Sequence, residues 1–264
     1  MELLHYELPD ELEPFKEALQ ATLKPFIEII PGEDKIQNPW QSCFGGTPYL
    51  PLDAQYPATP SGEPLFFLAQ INFEEVPALA PFPTRGLLQF FIFDDSLYGM
   101  PSGEAGSDGA YRVVYYPEVI KDRSKLTSSF SFLRHFQQTP IDAGHGFPML
   151  FEQLEEIAPI TDHAFYDAMG QDFFKQFDEE LRWAIVEEYA TAVSAEGHKV
   201  GGYAHFAQED PRSAEKPMVL LFQMDSDAEI ECNWGDMGTA HFFINEEDLK
   251  KGDFSKVIFH WDCH

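Results

Sequence analysis

The chain has 264 residues, 44% hydrophobic and 15% aromatic, with 45 acidic against 17 basic side chains and a formal net charge of −28. A chain of this length with 25 Phe carries enough apolar surface for a packed core, which sets it apart from disordered acidic segments. The shortage of Lys and Arg argues against nucleic acid and anionic membrane surfaces as partners, and in favour of a protein or a neutral or cationic ligand.

In chain order, Leu8, Leu12, Phe15, Leu19, Leu23 and Phe26 recur every three or four positions and predict a helix over about 9–24. Asp10 is its expected N-cap and Pro25 its stop. Residues 36–64 are rich in turn formers, with one short strand expected within 40–46. Strands are expected at 64–71, 86–94 and 111–116, where Phe, Leu, Val and Tyr run between Gly, Pro or Asp. Asn72 with Glu75 resembles a capped turn, and 99–110 reads as a mobile loop. Residues 147–160 predict a long strand closed by Pro159. Over 170–194, Phe173, Phe177, Leu181, Ala184, Ile185 and Tyr189 form one face of a second helix. Strands at 218–224, 239–244 and 256–261 follow, with a short helix at 246–251 capped by Asn245.

Cys43, Cys232 and Cys263 are odd in number and lack metal-site spacing, which argues against a disulfide framework or structural zinc. No basic leader precedes an apolar run at the N-terminus, and no apolar stretch is long enough to span a membrane. A cytoplasmic location is the expectation.

Three segments recur in order. Gly45-Gly46-Thr47 matches Gly201-Gly202-Tyr203, Leu68-Ala69-Gln70-Ile71-Asn72 matches Leu221-Phe222-Gln223-Met224-Asp225, and Gly86 to Ile92 matches Gly238 to Ile244. The expected architecture is α+β, a single domain over 1–264. Its core is duplicated into two related, mainly antiparallel β units at about 40–95 and 198–250, with flanking helices. The paired glycines mark structural turns. Gln70 and Gln223, each mid-strand among apolar residues, either tie the strands of their units together or point into a cleft shared between the units.

Pro64-Leu65-Phe66-Phe67-Leu68-Ala69-Gln70-Ile71-Asn72-Phe73, Gly201-Gly202-Tyr203, Leu220-Leu221-Phe222-Gln223-Met224-Asp225 and Trp234-Gly235-Asp236 together resemble the YwqG-like family of uncharacterised bacterial proteins. Ala204 stands where that family usually has proline. The resemblance implies an α+β fold with a duplicated core and implies no activity, the family being a domain of unknown function.

Several groups are candidates for chemistry. Asp225-Ser226-Asp227-Ala228-Glu229-Ile230-Glu231 places acids at alternate positions, either as hard-cation ligands on one strand face or as a solvated edge. Asp225, Asp227 and Asp236 are the candidate metal ligands. Trp234-Gly235-Asp236 either displays an aromatic beside a carboxylate for a polar ligand or buries the Trp at a capped turn. Arg212, in Gln208-Glu209-Asp210-Pro211-Arg212, either clamps an anionic group or pairs internally. His198, His205, His260, Asp262, Cys263 and His264 are further metal-ligand types without a standard spacing. No nucleophile elbow, P-loop or zinc-protease motif occurs, and no cofactor is indicated. The leading expectation is a non-catalytic binding or protein-interaction protein. Its cleft lies between the units and is lined by Gln70, Asn72, Gln223, Asp225, Trp234, Asp236 and Arg212. Two alternatives stand beside it: a carboxylate-based hydrolase, cation-dependent in one form, and an acidic immunity or accessory protein that neutralises a basic toxin.

Overall fold

The computed structural model describes residues 6–100, 110–142, 144–208, 210–212 and 217–264. The described strands are β1 (Lys24–Pro31), β2 (Cys43–Gly45), β3 (Phe66–Asn72), β4 (Leu87–Ile92), β5 (Tyr111–Tyr116), β6 (Gly146–Glu156), β7 (Lys199–Gly201), β8 (Val219–Asp225), β9 (Thr239–Ile244) and β10 (Ile258–Asp262). The α-helices are α1 (Lys16–Gln20), α2 (His163–Met169), α3 (Glu179–Ala192) and α4 (Glu246–Lys251). No described helix is long and apolar enough to cross a membrane.

The ten described strands join one sheet in the order β10-β9-β8-β7-β1-β6-β2-β3-β4-β5, and each neighbouring pair is antiparallel. The sheet curls until its ends approach. The Tyr111 hydroxyl donates to the carbonyl of Val257 at 2.8 Å, and its ring packs on Phe259. Phe90 of β4 meets Phe222 of β8 and Phe242 of β9 at 4.7 Å each. The result is a mixed α/β fold with a large near-barrel antiparallel sheet and few helices. Ile27, Ile29, Phe44, Phe90, Phe222 and Phe242 belong to the core it encloses. Burial on this scale is the main stabilising contribution, about 25 cal/mol per Å2 of apolar area. A second apolar cluster packs the helical segments together around Leu12, Leu19, Phe165, Ile185, Tyr189 and Tyr203.

The first helix is shorter than its periodicity predicts. Residues Asp10–Phe15 form a 3-10 helix containing Pro14, α1 adds five residues, and the chain then turns and enters β1. Phe26, the last residue of the apolar stripe, lies in β1. Hydrogen bonding of β1 to both β6 and β7 overrides the local helical pattern. The long helix expected over 170–194 is divided into a 3-10 turn at Phe173–Gln176 and α3, whose N-cap Asp178 accepts from Leu181 N. Helix α2 precedes them. β9 and α4 coincide with their predicted spans, and Asn245 caps α4 by accepting from Glu247 N. Most of the loop expected at 99–110 lies outside the described residues.

Candidate functional site

The buried glutamines make the hydrogen bonds of structural ties. Gln70 faces Gln89 across β3–β4, and both are fully buried. Gln70 Oε1 accepts from Tyr49 N (2.9 Å) and from Gln89 Nε2 (3.0 Å), while its Nε2 donates to the carbonyls of Pro39 and Gln41 (2.8 and 2.7 Å). Gln223 faces His241 across β8–β9 in the same way. Its Oε1 accepts from His205 N (2.9 Å), and its Nε2 donates to the carbonyls of Ala195 and Gly197 (3.0 and 2.8 Å). Gln89 Nε2 bonds the Tyr49 carbonyl, and His241 Nε2 bonds the His205 carbonyl. Ladder irregularities also correspond, at Phe67/Ala69 and at Leu220/Phe222. The amide oxygen and nitrogen of Gln70 and of Gln223 are all bonded in this way, which makes each a strut, whereas Gln89 Oε1 and His241 Nδ1 have no partner among the described residues.

The other expected cleft residues have the following partners and exposure. Asn72 is buried, its Nδ2 donating to the Trp40 carbonyl and its Oδ1 accepting from Glu74 N. Trp234 is fully buried, in edge contact with Tyr98 at 5.3 Å, whereas Asp236 is exposed. Gly235 (φ +65°) makes the turn between them. Arg212 pairs with Asp210 and Asp162 (2.7 and 3.1 Å) and lies over the rings of Phe206 and Phe243, so its guanidinium is committed internally. Glu209 of the same motif lies outside the described residues.

The acidic alternation does not form one strand face. β8 ends at Asp225, and the chain then turns so that Asp227 and Cys232 exchange backbone hydrogen bonds, with Glu231 at φ +52°. Asp225 accepts from Gly197 N, Ser226 N and Thr239 Oγ1. Asp227 pairs with the buried His198 at 3.1 Å, and that hydrogen bond holds its carboxyl below the usual range. Among the described residues, no group of three or more His, Cys, Asp or Glu is placed to hold a metal ion.

An opening lies mostly at residues the sequence does not single out, His198 excepted. A pocket of about 670 Å3 is lined by residues of β1, β6 and β7 and by the segment leaving α3. Leu23, Phe26, Leu154 and Val193 supply apolar lining, and Glu28, Glu155 and Glu196 supply acidic lining. Lys199 and Glu156 also line it, 1% and 5% exposed, with Nζ and Oε2 2.8 Å apart. The second Glu156 oxygen accepts from Tyr203 N at 2.6 Å, and the Lys199 ammonium lies 4.7 Å from the centre of the Phe26 ring. Burial pulls the Lys199 amine below its ordinary value, against the attraction of Glu156. Gly202 (φ +70°) makes this close approach possible, since a Cβ there would stand 2.1 Å from Glu156 Oε1. The signals available in sequence were Lys199 beside the Gly201-Gly202 turn and Glu156 at the end of a strand, two ordinary charges until folding pairs them.

Beside β2 the residue opposite the glutamine is apolar. Cys43 stands opposite Gln70 as Lys199 stands opposite Gln223, and Ile36 packs into the cluster with Cys43 and Phe67. Gln70 and Gln223 thus make similar hydrogen bonds, while the residues opposite them, Cys43 and Lys199, lie in different surroundings.

Compared with known protein families, the chain matches the one described as "Domain of unknown function (DUF1963)" over residues 42–263. No curated protein matches it.

Proposed function

The chain belongs to the DUF1963 family, and from that premise we propose that it is a non-catalytic binding protein using the pocket beside β7, β1 and β6. The observation that carries this reading is a pocket of about 670 Å3 holding a buried ion pair and an apolar wall, at the centre of the strand order. Ligand sites commonly enclose about 300–1,000 Å3 with mostly apolar walls and a few fixed polar groups. With Lys199 neutralised by Glu156, the remaining charge of the lining is that of Glu28, Glu155 and Glu196. The ligand this favours has an apolar body and an uncharged or cationic head.

We also read the two halves as duplicated units, supported by the matching bonds of Gln70 and Gln223, and the chain as YwqG-like within its family, supported by the motifs quoted above. Three free cysteines fit a reducing, cytoplasmic setting. Of the three acids named for the carboxylate-hydrolase alternative, Asp225 and Asp227 are bound to neighbouring groups and Asp236 is exposed at a turn.

The test uses N-phenyl-1-naphthylamine, a neutral amphiphile that fluoresces in apolar sites. One saturable site is expected, competed by long-chain alkylamines and lost in Ala192→Trp, which fills the pocket from the end of α3. Absence of saturable binding, or equal binding by Ala192→Trp, overturns the proposal.

A further inference from the structure

Strand β5 ends the sheet, and among the described strands its outer edge has no partner. The phase of the ladder fixes which of its backbone groups face outward. Phe73 N donates to the Gly86 carbonyl at 2.9 Å, so Gly86, Leu88 and Phe90 direct their backbone groups toward β3. Leu87, Gln89 and Phe91 then direct theirs toward β5, where they meet Tyr116, Val114 and Arg112. The N–H and C=O groups of Val113 and Tyr115 therefore face away from the sheet. At Tyr111 the outward carbonyl accepts from the Arg112 side chain at 2.8 Å, which caps that end of the edge.

A pocket of about 550 Å3 lies along the uncapped stretch. Val113 and Tyr115 line one side, and Lys251, Gly252 and Phe254, at the end of α4 and just beyond it, line the other. The Tyr115 and Phe254 rings meet between the two sides, with centroids 4.9 Å apart. Val113 and Tyr115 are partly exposed and Lys251 is exposed, so the pocket is reached from solvent. Lys250 and Lys256 pair with Glu246, Glu247 and Asp248, whereas Lys251 forms no ion pair among the described residues. The outward groups of Val113 and Tyr115 stand two residues apart, about 7 Å along the strand, a spacing that an extended backbone repeats.

We propose that this edge takes an extended peptide of a partner protein as an added antiparallel strand. Residues opposite each other across an antiparallel pair share a face, so peptide residues opposite Val113 and Tyr115 bring apolar side chains to the Tyr115–Phe254 contact. An acidic residue N-terminal to them meets Lys251, the uncompensated cation at that end. Main-chain hydrogen bonds supply the affinity, and the aromatic contact and the lysine supply the selection.

The probe is the acetylated and amidated peptide Glu-Val-Thr-Val-Thr-Val, titrated into the full chain by calorimetry and by NMR amide exchange. One saturable site with a Kd below about 1 mM is expected, with exchange of the Val113 and Tyr115 amides slowed at least about tenfold at saturation. N-methylation of the Val amides should weaken binding at least about tenfold, because these face β5, whereas N-methylation of the Thr amides should leave it unchanged. Replacing the peptide's Glu by Gln should weaken binding about threefold to the unsubstituted chain and have no effect on Lys251→Gln. Absence of saturable binding, equal affinity of the two methylated peptides, or unchanged exchange at Val113 and Tyr115 overturns the proposal, and none of these readings requires a variant to fold. Loss confined to the Thr-methylated peptide overturns the antiparallel pairing, and an affinity indifferent to Glu overturns the role of Lys251.

Discussion

Lys199 Nζ lies 2.8 Å from Glu156 Oε2 with both side chains almost sealed from water, and the second Glu156 oxygen is held by the backbone N–H of Tyr203. Removing one partner leaves the other charge buried without compensation. Lys199→Met is therefore expected to cost about 3 kcal/mol or more, read as a lower urea midpoint with an unchanged slope. The double variant Lys199→Met with Glu156→Gln should recover most of that loss, because Gln keeps an acceptor for Tyr203 N. A double variant no better than Lys199→Met would show that the cost lies in packing of the lysine stem.

The glycines of the β7 turn separate a steric effect from a conformational one. Gly202→Ala places a Cβ 2.1 Å from Glu156 Oε1 and 2.7 Å from Phe26 Cβ, at φ +70°. Gly197→Ala, at φ +90°, meets nothing within 4 Å. Gly197→Ala should cost about 1–2 kcal/mol from the left-handed backbone alone, and Gly202→Ala clearly more, with reduced probe binding at the pocket. Equal thermal destabilisation of the two would contradict the contact with Glu156.

Gln70→Leu and Gln223→Leu test the matched struts. Each substitution strands a backbone N–H and two carbonyls in the interior, at about 1–3 kcal/mol per unsatisfied group. Both variants should lose at least about 3 kcal/mol in chemical denaturation. A loss confined to one of the two would mean that the halves do not share the load.

Two acids should give stability opposite dependences on pH. The hydrogen bond from His198 depresses the folded pKa of Asp227 below 3.8, so its contribution is present above that value and fades as the pH falls through the folded pKa. Burial raises that of Asp262 above 3.8, so Asp262 penalises folding at neutral pH and the penalty shrinks on acidification through its folded pKa. Asp262→Asn is expected to raise the melting temperature at pH 7 by about 2 °C, with a smaller gain near pH 4, whereas Asp227→Asn flattens the acid loss. Melting curves from pH 3 to 7 check both, and a gain from Asp262→Asn that persists unchanged at acid pH would exclude burial of the charge as its cause.

Strands with apolar runs broken by only one or two polar residues were legible in the sequence. Phe66–Asn72, Leu87–Ile92 and Thr239–Ile244 are buried at every position, which is how such runs read. α4 was legible because its cap and its end are local, Asn245 at one end and Gly252 at φ +69° at the other. β1 was not, because prolines at both ends of Lys24–Pro31 argue against an interior strand, and Phe26 completes a helical stripe. Its place at the centre of the sheet depends on β6 and β7, which come from far along the chain.

The sequence alone determined the acidic charge, the apolar strands and the spacing that puts Gln70 and Gln223 in matching places, because each of these follows from residue identity and local period. The tertiary structure decided what those residues do. It buried both glutamines and Trp234, where the cost of an unpaired polar group makes the amides into struts. It left an opening at Lys199 with Glu156 and another along the outer edge of β5. Whether a charged side chain becomes surface or site depends on which distant strand lies beside it and how much water that neighbour removes, and neither is written in local sequence.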